Sequence, residues 1–169
     1  LGYGIGAAVK KKIQEALNDQ INKELYSAYL YLSMSAYLEA QSLPGAAKWM
    51  KLQAEEEVEH AMKIFSFVNE RDGRVLLAPI EGPKQEWTSP LEVFQQALKH
   101  EIFVTESINN IVTSASDEKD YATLNFLQWF VAEQVEEEAN ARENVEMFKR
   151  VENNPHGLFM VDRALAARE

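Results

Sequence analysis

Apolar residues recur at helical spacing in four long stretches of the chain, and each stripe is interrupted near its middle by polar groups. The first stripe reads Ile13, Leu17, Gln20, Glu24, Ser27, Tyr31, Met34 and Leu38, apolar at both ends with Glu24 at its centre. The second reads Met50, Gln53, Glu57, His60, Ile64 and Phe67, and the third Phe94, Leu98, Glu101, Thr105, Ile108 and Val112. The fourth carries Phe126, Phe130, Glu133 with Gln134, Glu137, Ala141 and Phe148. A period near 3.6 over such lengths predicts four long helices with one face turned inward.

Punctuation divides these stretches. The first helix is expected from Val9 to about Glu39, and Leu43-Pro44-Gly45 breaks the pattern before a second run to Asp72. Residues 73–89 hold Gly73, Pro79, Gly82 and Pro83 and predict a non-helical link with a possible extended piece at Val75 to Leu77. Ser89-Pro90-Leu91-Glu92 opens a third helix, with Ser89 as cap, Pro90 at the first turn and Glu92 reaching back to the cap. That helix is expected to end near Ala115, and a turn at Ser116, Asp117 and Asp120 leads into a fourth running to about Val151. Asn153-Asn154-Pro155 stops it, and a short amphipathic helix is predicted over residues 157–167. Short links make each helix pair an antiparallel hairpin, and a middle link of about 17 residues is long enough to run the length of a bundle. The expectation is an all-α domain over residues 9–169, a four-helix bundle over 9–151 with one long crossover, preceded by an apolar, glycine-rich tail at residues 1–8.

Composition narrows the chemistry. A chain of 169 residues with 46% hydrophobic and 26% charged positions builds one globular core. Cysteine is absent, which removes disulfides, thiolate metal sites, iron–sulfur clusters and thiol catalysis. A net charge of −10 argues against nucleic acid as a partner and favours small cations. No run reaches the ~20 apolar residues of a membrane span, so no membrane partner is expected.

The glutamates at the stripe centres are the anomaly. In an antiparallel bundle they meet at one level, where unpaired buried carboxylates would each cost several kcal/mol. No Lys or Arg shares those stripes at that level, so a bound metal is the simplest compensation. Glu57-Val58-Glu59-His60 is a Glu-x-x-His unit with both ligand side chains on one helix face. Carboxylate-type di-metal bundles take single glutamates from two helices, here Glu24 and Glu101, and Glu-x-x-His from the others. In the fourth helix Glu137 is followed three residues later by Asn140, so one metal position is rich in oxygen and the other mixed. Such a set suits Fe(II) or Mn(II), and Zn(II) also fits.

At these residues the chain resembles prokaryotic non-haem ferritins. The likeness lies in Ala16 to Gln20, Glu24 to Ser27, Glu55 to His60, Lys99-His100-Glu101, Asn125 to Trp129, Glu133 to Glu138 and Asp162 to Leu165, in order and with matching spacing from about residue 13 onward. The resemblance implies a ferritin-like up-down-down-up bundle with a fifth helix, and an iron-storage protein with ferroxidase activity. It implies oxidation of Fe(II) by dioxygen (or hydrogen peroxide) at a di-iron centre, and mineralisation in a cytoplasmic homo-oligomeric cage of 24 subunits. One iron would sit with Glu24, Glu57 and His60, and a second with Glu101 and Glu137, bridged by Glu57. Gln134 would position water or dioxygen, and Tyr31 would donate an electron. Glu56, Glu133 and Glu136, with Glu137, resemble a third iron site. Val58 and Asn140 stand where haem-bearing relatives carry a Met and a second His, so no haem is expected.

The remaining candidates read as structural. His100 points about 100° away from Glu101 on a helix and is expected to be solvated or to support the site from behind. His156 flanks a helix start. Trp49 and Trp129 read as packing residues, and Tyr26 and Tyr29 as contacts between helices or subunits. Leu25, Ala28, Leu30 and Leu32 lie off the inward stripe, and a helix apolar on several faces favours an oligomer. Two rival readings stay open: another di-iron enzyme on the same bundle, and an all-α interaction module with incidental glutamates.

Overall fold

A computed structural model of the chain describes residues 8–169, and the expected tail lies outside the described residues apart from Ala8. The elements are α1 (Lys11–Ala40), α2 (Pro44–Glu70), α3 (Pro90–Asp117), α4 (Tyr121–Arg150) and α5 (Pro155–Leu165). α1 packs chiefly on α2 and α3 on α4, while α5 docks on α2. Val9 is already buried, and its N–H donates to the Arg71 carbonyl at 3.0 Å.

Local chemistry sets most boundaries. Pro44, expected to interrupt helix, is the first residue of α2, where its missing N–H is harmless. Ser89 Oγ accepts from the Glu92 N–H at 3.1 Å, as a cap should. Glu92 reaches back one residue further than expected, accepting from the Thr88 N–H and hydroxyl rather than from Ser89. Asp120 caps α4 through the Thr123 N–H at 3.1 Å and is held by Arg71 at 3.0 Å. Asn154 caps α5 through the Gly157 N–H at 3.1 Å.

The crossover, residues 71–89, contains no strand, so the extended piece expected at Val75 to Leu77 is corrected. Polar side chains of α1 satisfy its backbone instead. Gln14 accepts from the Arg74 N–H, Asn18 donates to the Arg74 carbonyl, Asn22 donates to those of Ala78 and Pro79, and Ser33 to that of Lys84. Trp87 closes the link, buried edge-on against Tyr37.

Two apolar clusters form the core. One gathers Met34, Leu38, Met50, Phe94 and Phe148, and the other Ile13, Leu17, Ile64, Ile108 and Leu127. Between them lies a buried polar layer of Gln20, Glu24, Gln53, Glu57, His60, Glu101, Gln134 and Glu137. This is the three-dimensional form of the interrupted stripes. Some stripe ends differ: Phe67 and Phe126 are only partly buried, stacked on one another at 3.9 Å, while Leu127 takes the interior place on α4. Ala28 and Leu30, expected to await a partner, are buried within the chain, so the uncovered apolar face of α1 narrows to Tyr29 and Leu32.

α5 is fixed by close approach. A Cβ on Gly45 would lie 1.9 Å from the Asp162 carbonyl oxygen, so only glycine lets α5 lie this near α2. Asp162 Oδ1 accepts from the Ala46 N–H at 2.8 Å, satisfying a donor of the first turn of α2.

Candidate metal centre

Each long helix delivers its central acid into the polar layer: Glu24 from α1, Glu57 with His60 from α2, Glu101 from α3, and Glu137 from α4. All five side chains belong to residues at most 5% exposed, so water cannot compensate their charge. Ligand atoms converge in three groups, within each of which they lie no more than 4.8 Å apart: Glu24, Glu57 and His60; Glu57, Glu101 and Glu137; and His60, Glu133 and Glu137. Glu57 is common to the first two groups. His60 Nδ1 lies 3.3 Å from Glu57 Oε2, as their spacing along one helix face dictates.

Neutral donors steady this cluster from its edges. Gln20 Nε2 donates to Glu24 Oε1 at 2.9 Å, and Gln53 Nε2 donates to Glu137 Oε2 at 2.6 Å and more weakly to Glu57 Oε1 at 3.4 Å. The Tyr31 hydroxyl donates to Glu101 Oε1, and Gln134 Nε2 to Glu101 Oε2 at 3.1 Å. The amide of Gln20 is itself oriented, because its Oε1 accepts from Ser107 Oγ at 2.6 Å and Ser107 accepts from Lys23 Nζ. Among the described residues Glu24 Oε2 has no hydrogen-bond partner. Asn144 Nδ2 is likewise unpartnered, on the wall of a cavity of about 10 Å³ shared with Tyr31, Gln53, Glu101 and Glu137.

Burial dominates the electrostatics. It raises Glu24 and Glu57 well above the ordinary carboxyl range, reinforced by the charge of Glu57 on Glu24 and of Glu101 on Glu57. Burial lifts Glu101 to about 7, against the pull of Tyr31 and Gln134, and Glu137 to about 8, with Glu101 adding to the rise. Tyr31 is pushed well above its usual value by burial and by Glu101. Four acids that resist ionisation, with one imidazole and no cation among them, form a site whose charge a divalent ion would balance.

The other predicted residues fall unevenly. Glu133 is partly exposed, with Oε1 3.9 Å from His60 Nε2. Glu56 does not join the metal-ligating groups; it is paired with Arg168 Nη2 at 2.6 Å. Glu136 and Asn140 are exposed, and Glu136 joins none of those groups. His100 is half-buried with its Nε2 2.7 Å from Ser27 Oγ and its ring edge-on to Tyr31, and burial pushes it down to about 4. It is therefore a neutral ring behind Tyr31. Trp129 stands edge-on to His60, with Lys63 over its face. Trp49 tilts against Phe94, Tyr26 meets His100, and Tyr29 and His156 are exposed.

The steadying amides were the residues whose part sequence reasoning missed. Gln20 and Gln53 stood on the stripes without a role, although each precedes a site glutamate by four residues, the spacing of side chains one turn apart. Arg168 carries no such signal. It lies on none of the four stripes, and it reaches Glu56 at the rim rather than the four enclosed acids.

Comparison with known proteins fits this arrangement. A family model described as ferritin-like domain matches residues 14–151. The chain is 43% identical over 155 residues to a bacterial non-heme ferritin of Campylobacter jejuni, covering 92% of this chain and 93% of that one. It is 41% identical over 160 residues to one of Bacteroides fragilis, covering 95% and 99%. Among solved structures, an open pore ferritin of the hyperthermophilic archaeon Archaeoglobus fulgidus superposes with a TM-score of 0.95 at 50% identity, covering 96% of this chain and 99% of that chain.

Proposed function

The chain belongs to the ferritin-like family and is by family and fold an iron-storage protein; on that premise we propose that it fills its store as a ferroxidase, oxidising Fe(II) at the buried carboxylate cluster. The observation that carries this reading is the convergence of Glu24, Glu57, His60, Glu101 and Glu137 in one enclosed layer, with Glu57 common to two ligand groups.

In this mechanism Fe(II) is the substrate. Glu24 and His60 hold one ion, Glu101 and Glu137 the other, and Glu57 bridges them at the ~3.5–4 Å typical of two-metal sites. Entry of the ions displaces protons from carboxyls that burial keeps protonated, so loading releases acid. Two Fe(II) ions supply the two electrons that take dioxygen, with two protons, to hydrogen peroxide, and no one-electron step to superoxide is needed. Gln134 orients the oxidant beside Glu101, and Tyr31 holds the same carboxylate in place through its hydroxyl. Hydrogen peroxide can serve as oxidant at the same residues. Glu56, Glu133 and Glu136 would receive a third ion on the way to the mineral.

The protein acts as a homo-oligomer, and the proposed form is a 24-subunit cage. Support comes from its ferritin relatives and from apolar side chains left uncovered on a single chain, among them Tyr29, Leu32, Phe159 and Met160. A cytoplasmic setting belongs to the same proposal; among the described residues no helix is long and apolar enough to cross a membrane.

Anaerobic titration of the iron-free protein with Fe(II), followed by exposure to air, tests the reading. The expected result is about two tightly held irons per chain and a rise in ferric absorbance, with rapid oxidation lost in Glu57→Ala. Equal rates for that variant and the parent would overturn the assignment. A particle of a few chains rather than several hundred kilodaltons would favour a di-iron oxidase instead.

A further inference from the structure

The last turn of the chain reaches the metal centre through one side chain. Beyond α5, Arg168 folds back along α2, with its guanidinium 4.4 Å from the Trp49 ring and its Nη1 donating to the Trp49 carbonyl at 3.2 Å. The same Nη1 donates to Gln53 Oε1 at 2.9 Å, and Nη2 to Glu56 Oε2 at 2.6 Å. Trp49, Gln53 and Glu56 are successive positions on one face of α2, so the planar guanidinium spans two turns of that helix.

The contact with Gln53 matters for the site. A primary amide has one acceptor end and one donor end, and either can face inward. Arg168 has donors only, so it takes the oxygen of Gln53 and leaves the NH2 pointing at Glu137 Oε2 and Glu57 Oε1. Reversal of the amide would set its oxygen against two carboxylates and its NH2 against a guanidinium. Gln20 is oriented in the same manner by Ser107, but from within the bundle. Gln53 is oriented from beyond α5, by Arg168.

We propose that Arg168 is a positioning residue of the metal centre: through the Gln53 amide it sets the two carboxylates Glu57 and Glu137 for the ion they share with Glu101. This rests on the ferroxidase reading of the site. The docking of α5 at Gly45 and Asp162 carries the chain end to this place, so the fifth helix acts on metal binding as well as on packing.

The test uses Co(II), whose visible absorption reports coordination, added to the full-length metal-free protein as parent, Arg168→Gln, Arg168→Lys, Gln53→Leu, and Gln53→Leu with Arg168→Gln. Losing a group that orients a metal ligand costs typically 10–100-fold in affinity. Arg168→Gln is expected to weaken one of two Co(II) ions about tenfold, change its spectrum, and leave the other ion within about twofold. Arg168→Lys, with a single donor head, should restore part of the affinity. In the Gln53→Leu background the Arg168 substitution should have no further effect on that ion, because the two act in series. An unchanged affinity and spectrum in Arg168→Gln, or an equal loss with and without Gln53, would overturn the proposal. Absence of Co(II) binding in the parent would instead count against the ferroxidase reading itself.

Discussion

Replacing Glu137 by glutamine isolates the electrostatic strain of the metal-free interior. The shape is kept, and the hydrogen bond that Gln53 Nε2 donates at 2.6 Å still finds an amide oxygen. What changes is titration. Burial, with help from Glu101, raises the native Glu137 carboxyl from an ordinary 4.5 to about 8, so between these values the folded protein holds a proton that the unfolded chain has released. Stability from this group is therefore fully present below about pH 4.5 and is lost as pH rises through about 8. Each tenfold mismatch is worth about 1.4 kcal/mol, so ionisation of this one acid withholds roughly 1 kcal/mol near pH 5 and roughly 4 kcal/mol near pH 7.5. Glutamine does not titrate. Any packing cost of the substitution is the same at both pH values and cancels in the comparison. Urea unfolding with a chelator present should show Glu137→Gln gaining about 3 kcal/mol on the parent between about pH 5 and pH 7.5. Saturating divalent metal should reverse the order, since the parent then gains binding energy that the variant lacks. A difference between the two proteins that does not vary with pH would refute the reasoning.

Other perturbations have equally definite outcomes. The metal-free parent should itself lose stability from about pH 5 to pH 8, because Glu101, raised to about 7, adds to Glu137 in the same direction; thermal scans with and without metal should diverge as pH rises. Gly45→Ala places a methyl 1.9 Å from the Asp162 carbonyl and should cost about 1–3 kcal/mol in urea unfolding, with faster amide exchange confined to α5. Asp120→Ala removes both the cap of α4 and one partner of Arg71, for a loss of about 1–2 kcal/mol read in the same way. Tyr31→Phe takes the hydroxyl donor from Glu101, and stopped-flow oxidation of Fe(II) should slow about tenfold while the fold is kept.

The bundle was legible because its determinants are local and repeated. Gly and Pro punctuation, the Ser89 cap and the 3.6-residue stripes fixed the helices to within a few residues at each end. The polar layer was legible for the same reason, since Glu24, Glu57, His60, Glu101 and Glu137 each interrupt a stripe. Less visible were contacts made by chain segments far apart in sequence. Nothing along the chain announces that Gly45 exists to admit Asp162, or that Arg168 ends beside Gln53, because both depend on where α5 docks. The break expected at Leu43-Pro44-Gly45 holds, since α1 ends at Ala40, and Pro44 itself opens α2, where a proline is tolerated. Leu30 and Ala28 seemed surplus on a single helix, yet both are buried, Leu30 in the same apolar cluster as Trp87 of the crossover.

The central claim is that the enclosed carboxylates are iron ligands, and iron-edge anomalous diffraction from crystals soaked anaerobically in Fe(II) tests it most directly. The account predicts two peaks ~3.5–4 Å apart, one bounded by Glu24, Glu57 and His60 and the other by Glu57, Glu101 and Glu137. Peaks confined to surface acids, with the interior layer empty of iron and its carboxyls still protonated, would contradict it.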